Sequence, residues 1–375
     1  MPQNLTTLES VATFYEQVRL CRNCDLCTKD GHIQKAYDHC LALFHQQLPL
    51  PVVFVGEGPG FCEERTGEPL TGFFELIESR CGKCMKLGKC FKYFLHWSQD
   101  YKAAEVPCPY APGDEPERLT DMATMFKNRM KAIPVDMLYG KDVNGAVLTE
   151  TTAAGKKRNI EDPRTAGTLF DHMLASAQFI RTSAAQYWAD KERMGLCEPA
   201  NKLPNCGVIN AVQCRSWELK EQKCSACDKA GSDCKVCKGT GTVGVKNNCP
   251  PTDAERVACG VHIYNFLHLT RPKVVVATGN VALASLIGLR TVKAADGTAV
   301  STELLNTTMP SLESVLGKEL TCTLVDDLGY ELKVIPIKHA AAHMRLKKDR
   351  DAYRASVNQD LAILKRVYAD YIGIG

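Results

Sequence analysis

The stretch Val52-Val-Phe-Val-Gly-Glu-Gly-Pro-Gly60 decides the fold of this chain. Its first four residues are apolar without polar alternation, which is typical of a short strand buried on both faces. Glycines follow at every second position, and glycine lets a turn approach a ligand closely at the mouth of a parallel sheet. The stretch therefore predicts a buried strand that ends in a ligand-binding turn. A tight loop without a ligand is the alternative.

Three more apolar runs of this kind follow along the chain. They occupy residues 208–212, 274–277 and 334–337. Apolar residues at helical spacing occur at residues 253–269, 281–289 and 351–371. Strands that alternate with helices indicate a parallel sheet. A turn-like segment at residues 326–329 predicts that the last strand arrives through a hairpin, which adds an antiparallel piece to the sheet.

The composition is typical of an intracellular globular protein. Of 375 residues, 45% are hydrophobic and 24% charged, and a net charge of +3 is too small to diagnose a nucleic-acid partner. An odd count of 19 cysteines without a signal-peptide pattern argues against disulfides and favours reduced, metal-binding thiols. Gly279 and Asn280 interrupt the most apolar stretch, so we expect no membrane segment. We expect a cytoplasmic monomer.

Two segments interrupt the alternation of strands and helices, and we interpret both as insertions. Residues 81–203 are mostly polar with helical patterns and a cysteine-rich start, and residues 221–251 are rich in Cys, Gly, Lys and Asn. The core is then formed by residues 1–80, with the first cysteines and the glycine turn, by residues 204–220, and by residues 252–375.

Five ordered blocks resemble the family 4 uracil-DNA glycosylases. The first block has the Gly-Glu-Gly-Pro-Gly turn, the acidic pair Glu63 and Glu64, and a Gly-x-Pro segment that ends at Gly72. A strand ending in Asn210 and a loop that contains His339 are similar to two further motifs of that family. The five blocks lie at residues 55–72, 208–215, 258–283, 329–341 and 360–366.

The resemblance implies both a fold and an activity. The implied fold is a three-layer α/β/α arrangement with a short, mostly parallel four-stranded sheet and metal-binding insertions. The implied activity is a DNA glycosylase, which takes a base out of the stack and hydrolyses its N-glycosidic bond. Asn210 would pair with N3–H and O4 of uracil, His339 would stabilise charge on the departing base, and Glu57 would position or activate water.

Further residues would contact the base and the DNA. The turn residues Gly58, Pro59 and Gly60 would approach the base, and Leu70 or Phe73 would lie beside it. Basic residues and an apolar wedge would grip phosphate and fill the gap in the stack, unless they simply begin a surface helix. These predicted DNA contacts are Met344, Arg345, Lys347 and Lys348.

One set of four cysteines is predicted to bind an iron–sulfur cluster. The resemblance assigns Cys21, Cys24, Cys214 and Cys259 to a [4Fe–4S] cluster with a structural role. Spacing alone would fit zinc as well, and Cys27 is the competing ligand.

Two further sets are predicted zinc ligands. Cys224, Cys227, Cys234 and Cys237 form two Cys-x-x-Cys pairs, the spacing of a tetrahedral zinc site, with Cys249 as a possible substitute ligand. A looser set consists of Cys81, Cys84, Cys90 and Cys108, for which unpaired thiols are the alternative.

We therefore predict a monofunctional DNA glycosylase for uracil or a modified pyrimidine, in single- or double-stranded DNA. Two departures from the family keep alternatives open. Leu70 occupies the position of a stacking aromatic residue, and Ala340 replaces a proline of the histidine loop. The alternatives are a non-catalytic DNA- or partner-binding protein and a base- or nucleotide-modifying enzyme with a changed substrate.

Overall fold

The computed structural model describes residues 13–14, 17–18, 21–24, 26, 48–60, 149–151, 157–159, 166–179, 205–214, 216–223, 240–346 and 348–373. The strands are β1 (Val52–Gly56), β2 (Thr149–Thr151), β3 (Lys157–Asn159), β4 (Cys206–Asn210), β5 (Trp217–Lys223), β6 (Thr242–Asn248), β7 (Val274–Thr278), β8 (Leu289–Lys293), β9 (Ala299–Leu304), β10 (Leu320–Thr321) and β11 (Lys333–Ile337). The helices are α1 (Ala166–Ser176), α2 (Asp253–Thr270), α3 (Asn280–Ile287), α4 (Leu312–Val315), α5 (Ala340–Arg345) and α6 (Arg350–Tyr371).

The central sheet has the strand order β10-β11-β7-β1-β4. The four strands from β11 to β4 are parallel, and each coincides with one of the predicted apolar runs. The fifth strand, β10, pairs antiparallel with β11, which confirms the predicted hairpin and makes the sheet one strand wider than predicted. Two residues are too few to show an alternating pattern in the sequence.

Helices cover both faces of this sheet, which confirms the three-layer architecture. Successive side chains of a strand point to opposite faces. Val53 and Val55 accordingly pack in one core cluster with α2, α3 and α4, whereas Val52 and Phe54 pack in a second cluster with α1, α5 and α6. Every residue of β1 is buried, which is why its sequence shows a continuous apolar run.

Helix α2 packs on one face of the sheet, and the residues next to it cap both of its ends. Thr252 accepts a hydrogen bond from the backbone N–H of Glu255 (3.3 Å), and the Glu255 carboxylate accepts one from the backbone N–H of Thr252 (2.7 Å). Arg271, in the left-handed conformation with φ of 44°, ends the helix. The helix places Cys259 in the protein interior.

The β5–β6 hairpin contains most of the predicted 221–251 insertion. Its strands pair over seven residues, from Trp217 opposite Asn248 to Lys223 opposite Thr242. Cys249 lies at the base, where its backbone N–H donates to the Ser216 carbonyl (3.2 Å). No helix among the described residues is long and apolar enough to span a membrane.

Candidate active site at the carboxyl ends of the strands

The four parallel strands bring the predicted catalytic residues to one edge of the sheet. Glu57 follows β1, Asn210 ends β4, Gly279 follows β7, and His339 lies two residues after β11. The carboxyl ends of parallel strands share an edge, and ligands of open α/β sheets bind in the crevice outside it. Strand β1 lies between β4 and β7, so the glycine turn is at the centre of this edge.

The glycine turn is attached to the segment that follows Asn210. The backbone N–H of Ala211 donates to the Gly56 carbonyl (2.9 Å), and that of Val212 donates to the Glu57 carbonyl (3.1 Å). The parallel pairing of β1 and β4 thus continues past both strand ends. Gly58 and Gly60 are half-buried and Pro59 is buried, so the predicted base-contacting turn lies at this edge.

The side chain of Asn210 is buried at the end of β4 without a partner. Its exposure is 1%, and neither Oδ1 nor Nδ2 has a hydrogen-bond partner among the described residues. Its backbone carbonyl accepts a hydrogen bond from Gln213 Nε2 (2.5 Å), which fixes the chain around it. An unsatisfied buried amide costs about 1–3 kcal/mol. The amide of Asn210 is therefore an available hydrogen-bonding group in the interior, which is what a base-reading residue requires.

His339 is oriented by the helix that it begins. It is the N-cap of α5, and its Nδ1 accepts a hydrogen bond from the backbone N–H of Ala341 (3.2 Å). In the neutral ring the proton then lies on Nε2. Burial, with smaller effects of Arg345 and His343, lowers the pKa of His339 to about 4. At neutral pH, His339 therefore offers an uncharged Nε2–H donor.

The N-cap at His339 also explains how the loop keeps its conformation with Ala340 in place of the family's proline. Ala340 is the first residue of α5 and is buried in the core at 3% exposure. His339 has φ of −65° and ψ of 138°, an extended conformation held by its bond to Ala341. The backbone of this loop is thus fixed by capping rather than by a proline ring.

Gly279 allows the loop after β7 to pack against His339. Its φ is +95°, a conformation that residues with a side chain rarely adopt, and an added Cβ would lie 3.0 Å from the His339 Cβ. Its backbone N–H donates to the Ile337 carbonyl (2.9 Å). The position therefore requires glycine for both conformation and space.

A buried pair, His343 and Asp360, holds the loop that contains His339 in place. His343 and Asp360 are both fully buried, and His343 Nε2 lies 3.0 Å from Asp360 Oδ2. His343 Nδ1 lies 2.9 Å from Ser356 Oγ, and Asp360 Oδ2 also accepts from the backbone N–H of Lys338 (2.8 Å). His343 is thus bound to α6. The sequence alone did not indicate that His343 and Asp360 pair with each other.

Glu57 is half-buried, and burial raises the pKa of its carboxyl group above the usual range. Arg345 partly opposes this increase, and the same guanidinium contributes to the lowered pKa of His339. The charge of Arg345 therefore acts on both groups, which indicates that the end of α5 lies beside the turn after β1.

The predicted DNA-contacting segment divides into a packed and an exposed part. Met344 is half-buried and packs against the core cluster of α1 and α6, whereas Leu346 is 37% exposed. Arg345 and Lys348 are exposed. Of the two apolar residues, Leu346 is the more accessible to an external partner. Packing determines which side chains at the end of α5 are exposed, and this could not be predicted from the sequence.

Several predicted site residues lie outside the described residues. These are Cys27, Leu70, Phe73, Cys81, Cys84, Cys90, Cys108, Cys224, Cys227, Cys234, Cys237 and Lys347.

Three of the four predicted cluster cysteines meet in the structure. The thiol of Cys259 is hydrogen-bonded to that of Cys24 and lies close enough to Cys214 for an electrostatic interaction. Leu26 and Val212 pack around the three thiols. Cys21 is half-buried, three residues before Cys24.

These residues fit a thiolate-bound metal centre in the chemistry of their donors, since sulfur is the ligand atom of iron–sulfur clusters. Among the described side chains, no three His, Cys, Asp or Glu residues are arranged to hold a single metal ion.

A comparison with family models gives one match to the described architecture. The model of the Uracil DNA glycosylase superfamily matches residues 44–362, which include the glycine turn, Asn210 and His339. No curated protein matches the chain.

Proposed function

The chain belongs to the uracil-DNA glycosylase superfamily, and on that premise we propose that it is a monofunctional glycosylase that removes uracil or a modified pyrimidine from DNA. The observation that carries this proposal is the amide of Asn210. It is 1% exposed, it lies at the carboxyl edge of the sheet, and neither of its polar atoms has a partner among the described residues. A flipped base would supply the missing hydrogen bonds.

Base recognition would depend on the two ends of that amide. Nδ2 would donate to O4 of uracil, and Oδ1 would accept from N3–H. Cytosine has an acceptor at N3 and a donor at its exocyclic amine, so an amide held in this orientation would oppose both of its groups. Asn210 would therefore select uracil-like bases over cytosine.

His339 would stabilise the leaving group. When the bond between C1′ and N1 breaks, its electron pair departs with the base, and negative charge develops on the ring and its oxygens. The Nε2–H of His339 is a preorganised donor for that charge. A neutral histidine suits this role, because its lowered pKa keeps it uncharged at neutral pH.

Glu57 would position the water that completes hydrolysis. The water oxygen forms a bond to C1′, and the carboxylate accepts its proton. A pKa raised by burial makes Glu57 a stronger base than an exposed glutamate. Lys338, the lysine next to His339, donates to Ser356 Oγ (3.3 Å) and Gln359 Oε1 (3.2 Å) on α6. Its engagement there supports hydrolysis by water without a lysine nucleophile.

DNA would bind beside α5. Leu346 would enter the gap left by the flipped base, and Arg345 and Lys348 would contact phosphates. All three are exposed within four residues of one another. The proposal does not depend on whether the substrate is single- or double-stranded.

We also propose that the chain is of the family 4 type, with a [4Fe–4S] cluster on Cys21, Cys24, Cys214 and Cys259. The meeting of Cys24, Cys214 and Cys259 supports it. When bound, the cluster would join the N-terminal segment, the loop after β4 and helix α2 by metal–sulfur bonds.

Zinc binding by the cysteine-rich insertions is proposed on ligand spacing. The pairs Cys224/Cys227 and Cys234/Cys237 would bind one ion between β5 and β6, and the looser set beginning at Cys81 would bind a second. Antiparallel pairing of β5 with β6 brings the two ends of the first segment together, which favours a common site.

A glycosylase assay with defined oligonucleotides tests the proposed activity. Substrates would carry uracil, other altered pyrimidines or cytosine, in single and double strands, and alkali would reveal abasic sites. We expect abasic sites at uracil or a modified pyrimidine with the wild type, and loss of this product in Asn210→Ala and His339→Ala. Asn205→Ala is the matched control, since Asn205 precedes the same strand at the opposite edge and donates to the Gln178 carbonyl (3.0 Å). Binding of DNA without release of any base would contradict the proposal.

A further inference from the structure

His262, in the middle of α2, is a buried histidine with no role in the proposed active site. Its exposure is 4%, and neither Nδ1 nor Nε2 has a hydrogen-bond partner among the described residues. The other histidines with described side chains differ. His343 uses both ring nitrogens, His339 uses Nδ1, and His268 uses Nε2. A buried imidazole without a partner is costly, so its position calls for a ligand.

The face of α2 that contains His262 is covered by the N-terminal segment. Residues three and four apart on a helix are neighbours, so His262 lies between Cys259 and Phe266. The ring of Phe266 packs against Phe14 with centroids 5.7 Å apart. One turn before His262, the thiol of Cys259 contacts that of Cys24.

A polar contact confirms the direction of this segment. Asn265 Nδ2 donates to Gln17 Oε1 (3.2 Å), so Gln17 lies beside the same part of α2. The N-terminal segment thus follows α2 backwards, from Phe266 near Phe14 to Cys259 at Cys24. His262 lies on α2 between these two contacts, one helical turn from Cys259.

We infer that the ring of His262 donates an N–H hydrogen bond to an inorganic sulfide of the cluster that the four cysteines are proposed to hold. Such bonds to sulfur are among the features that set the reduction potential of an iron–sulfur cluster. The acceptor is negatively charged, and a buried ring that has no partner among the described residues would gain one there. His262 is in this sense a positioning residue for the metal centre and takes no part in base excision.

Loss of the His262 donor should shift the reduction potential of the cluster in one direction only. Reduction adds negative charge to the sulfur atoms, so a donor to sulfur favours the reduced form. Loss of this donor shifts the midpoint potential to more negative values. Because the inference rests on the cluster proposed above, the experiment begins with the metal content of the wild type.

The test uses the full chain, purified without air, in four forms: wild type, His262→Leu, His262→Gln and His268→Leu. Iron and sulfide analysis and visible absorbance establish the cluster. Spectroelectrochemical titration then gives its midpoint potential, and resonance Raman spectra in H2O and D2O report hydrogen bonds to sulfur. His268→Leu is the matched control, because His268 is on the same helix and its Nε2 contacts Asp327 Oδ1 (2.6 Å) instead.

We expect a more negative potential and a smaller deuterium shift in His262→Leu, a smaller change of the same sign in His262→Gln, whose amide retains a donor at a different place, and values near the wild type in His268→Leu. An unchanged potential and deuterium shift in His262→Leu would refute the role of His262 and leave the cluster intact. Wild-type protein without iron would refute the cluster itself. If His262→Leu does not fold, a shift in His262→Gln, whose donor is placed differently, supports the inference, and identical spectra overturn it.

Discussion

Asn210 combines deep burial with an unpaired amide, and this combination has opposite consequences for stability and activity. A structural asparagine in the interior would be satisfied by its neighbours, as buried polar groups generally are. Asn210 instead leaves both polar atoms without a partner among the described residues. The amide of Asn210 costs free energy in the free protein, and a bound substrate would supply its partners.

Asn210→Ala should therefore separate activity from stability. We expect the single-turnover rate of base release to fall by about 10²–10³-fold, as when one preorganised hydrogen-bond donor is removed. The free energy of unfolding in urea should change by less than about 1 kcal/mol, because the lost amide has no partner among the described residues to leave unpaired. A stability loss of more than about 3 kcal/mol would identify Asn210 as a structural residue instead.

His339 should make stability depend on pH below neutrality. Its pKa in the folded state is about 4, against 6.5 for an ordinary histidine, so the unfolded state binds more protons between these values. Stability is then present above about pH 6.5 and falls as the pH decreases towards 4, by up to about 3 kcal/mol. His262, whose pKa burial also lowers to about 4, adds the same trend to wild type and variants.

The contribution of His339 is the difference between wild type and His339→Gln in urea unfolding at pH 7 and pH 4.5. The variant should lose less stability over this interval because glutamine does not titrate. Equal losses in the two proteins would contradict the lowered pKa of His339.

The sequence predicted Asn210, His339 and Glu57 as site residues because each belongs to a motif at the end of an apolar run, and the structure brings these strand ends to one edge of the sheet. The degree of exposure of Met344 could not be predicted in the same way. Met344 and Leu346 are two residues apart, and only the packing of α5 against α1 and α6 determines which of them is exposed. Such a choice depends on tertiary contacts that no local pattern records.

At the level of elements, the histidine loop is held by its attachment to α6. Asp360 joins His343 and the backbone of Lys338 through one carboxylate oxygen. This attachment connects the end of β11, helix α5 and helix α6, and so fixes the N-terminus of α5, where His339 lies. The pair is thus a structural support for His339, the residue proposed to stabilise the leaving group.

Substitution of either His343 or Asp360 should lower both the stability of the protein and the rate of base release. Asp360→Ala and His343→Ala should each lower the free energy of unfolding by about 3–5 kcal/mol, since each leaves a buried polar partner unsatisfied. Rates of base release under stable conditions should fall because His339 loses its support. Ser356→Ala removes only the peripheral hydroxyl at 2.9 Å from His343 and should cost about 1 kcal/mol. Equal stability losses in all three variants would contradict this hierarchy.

The strands of the parallel sheet were predictable because they are buried on both faces. Strand β10 was not, because two residues show no periodicity. The pairing of His343 with Asp360 was equally hidden, since the two residues are 17 positions apart and become neighbours only when α5 packs on α6. Contacts of this kind require the fold as well as the sequence.

For the whole molecule, the three thiols connect segments that are far apart in sequence. Cys24 belongs to the N-terminal segment, Cys214 follows β4, and Cys259 lies within α2. A metal centre at this point would hold the N-terminal segment on the face of the sheet that α2 covers. The three-layer fold was predictable from the order of strands and helices, whereas the meeting of these thiols was implied only by family resemblance.

Cys214→Ala should release iron and lower the stability of the whole domain. We expect loss of the visible absorbance of the cluster and a lower midpoint in urea unfolding, because three connections through metal–sulfur bonds are lost together. Cys322→Ala is the matched control, since Cys322 is also buried but its thiol donates to the Leu286 carbonyl (3.4 Å). Iron retained in Cys214→Ala, or lost equally in both variants, would contradict the assigned ligands.

The carboxyl edge of the sheet is proposed to hydrolyse a glycosidic bond, and the amount of free base released in a single turnover reports this reaction. Uracil-containing DNA would be incubated with excess wild type, Asn210→Ala or Asn205→Ala, and free uracil and abasic sites would be quantified together. We expect equal amounts of both products with the wild type and Asn205→Ala, and a rate lower by about 10²-fold or more with Asn210→Ala. Base release at the same rate by Asn210→Ala would contradict this proposal, as would DNA that is bound by the wild type and remains intact for every pyrimidine tested.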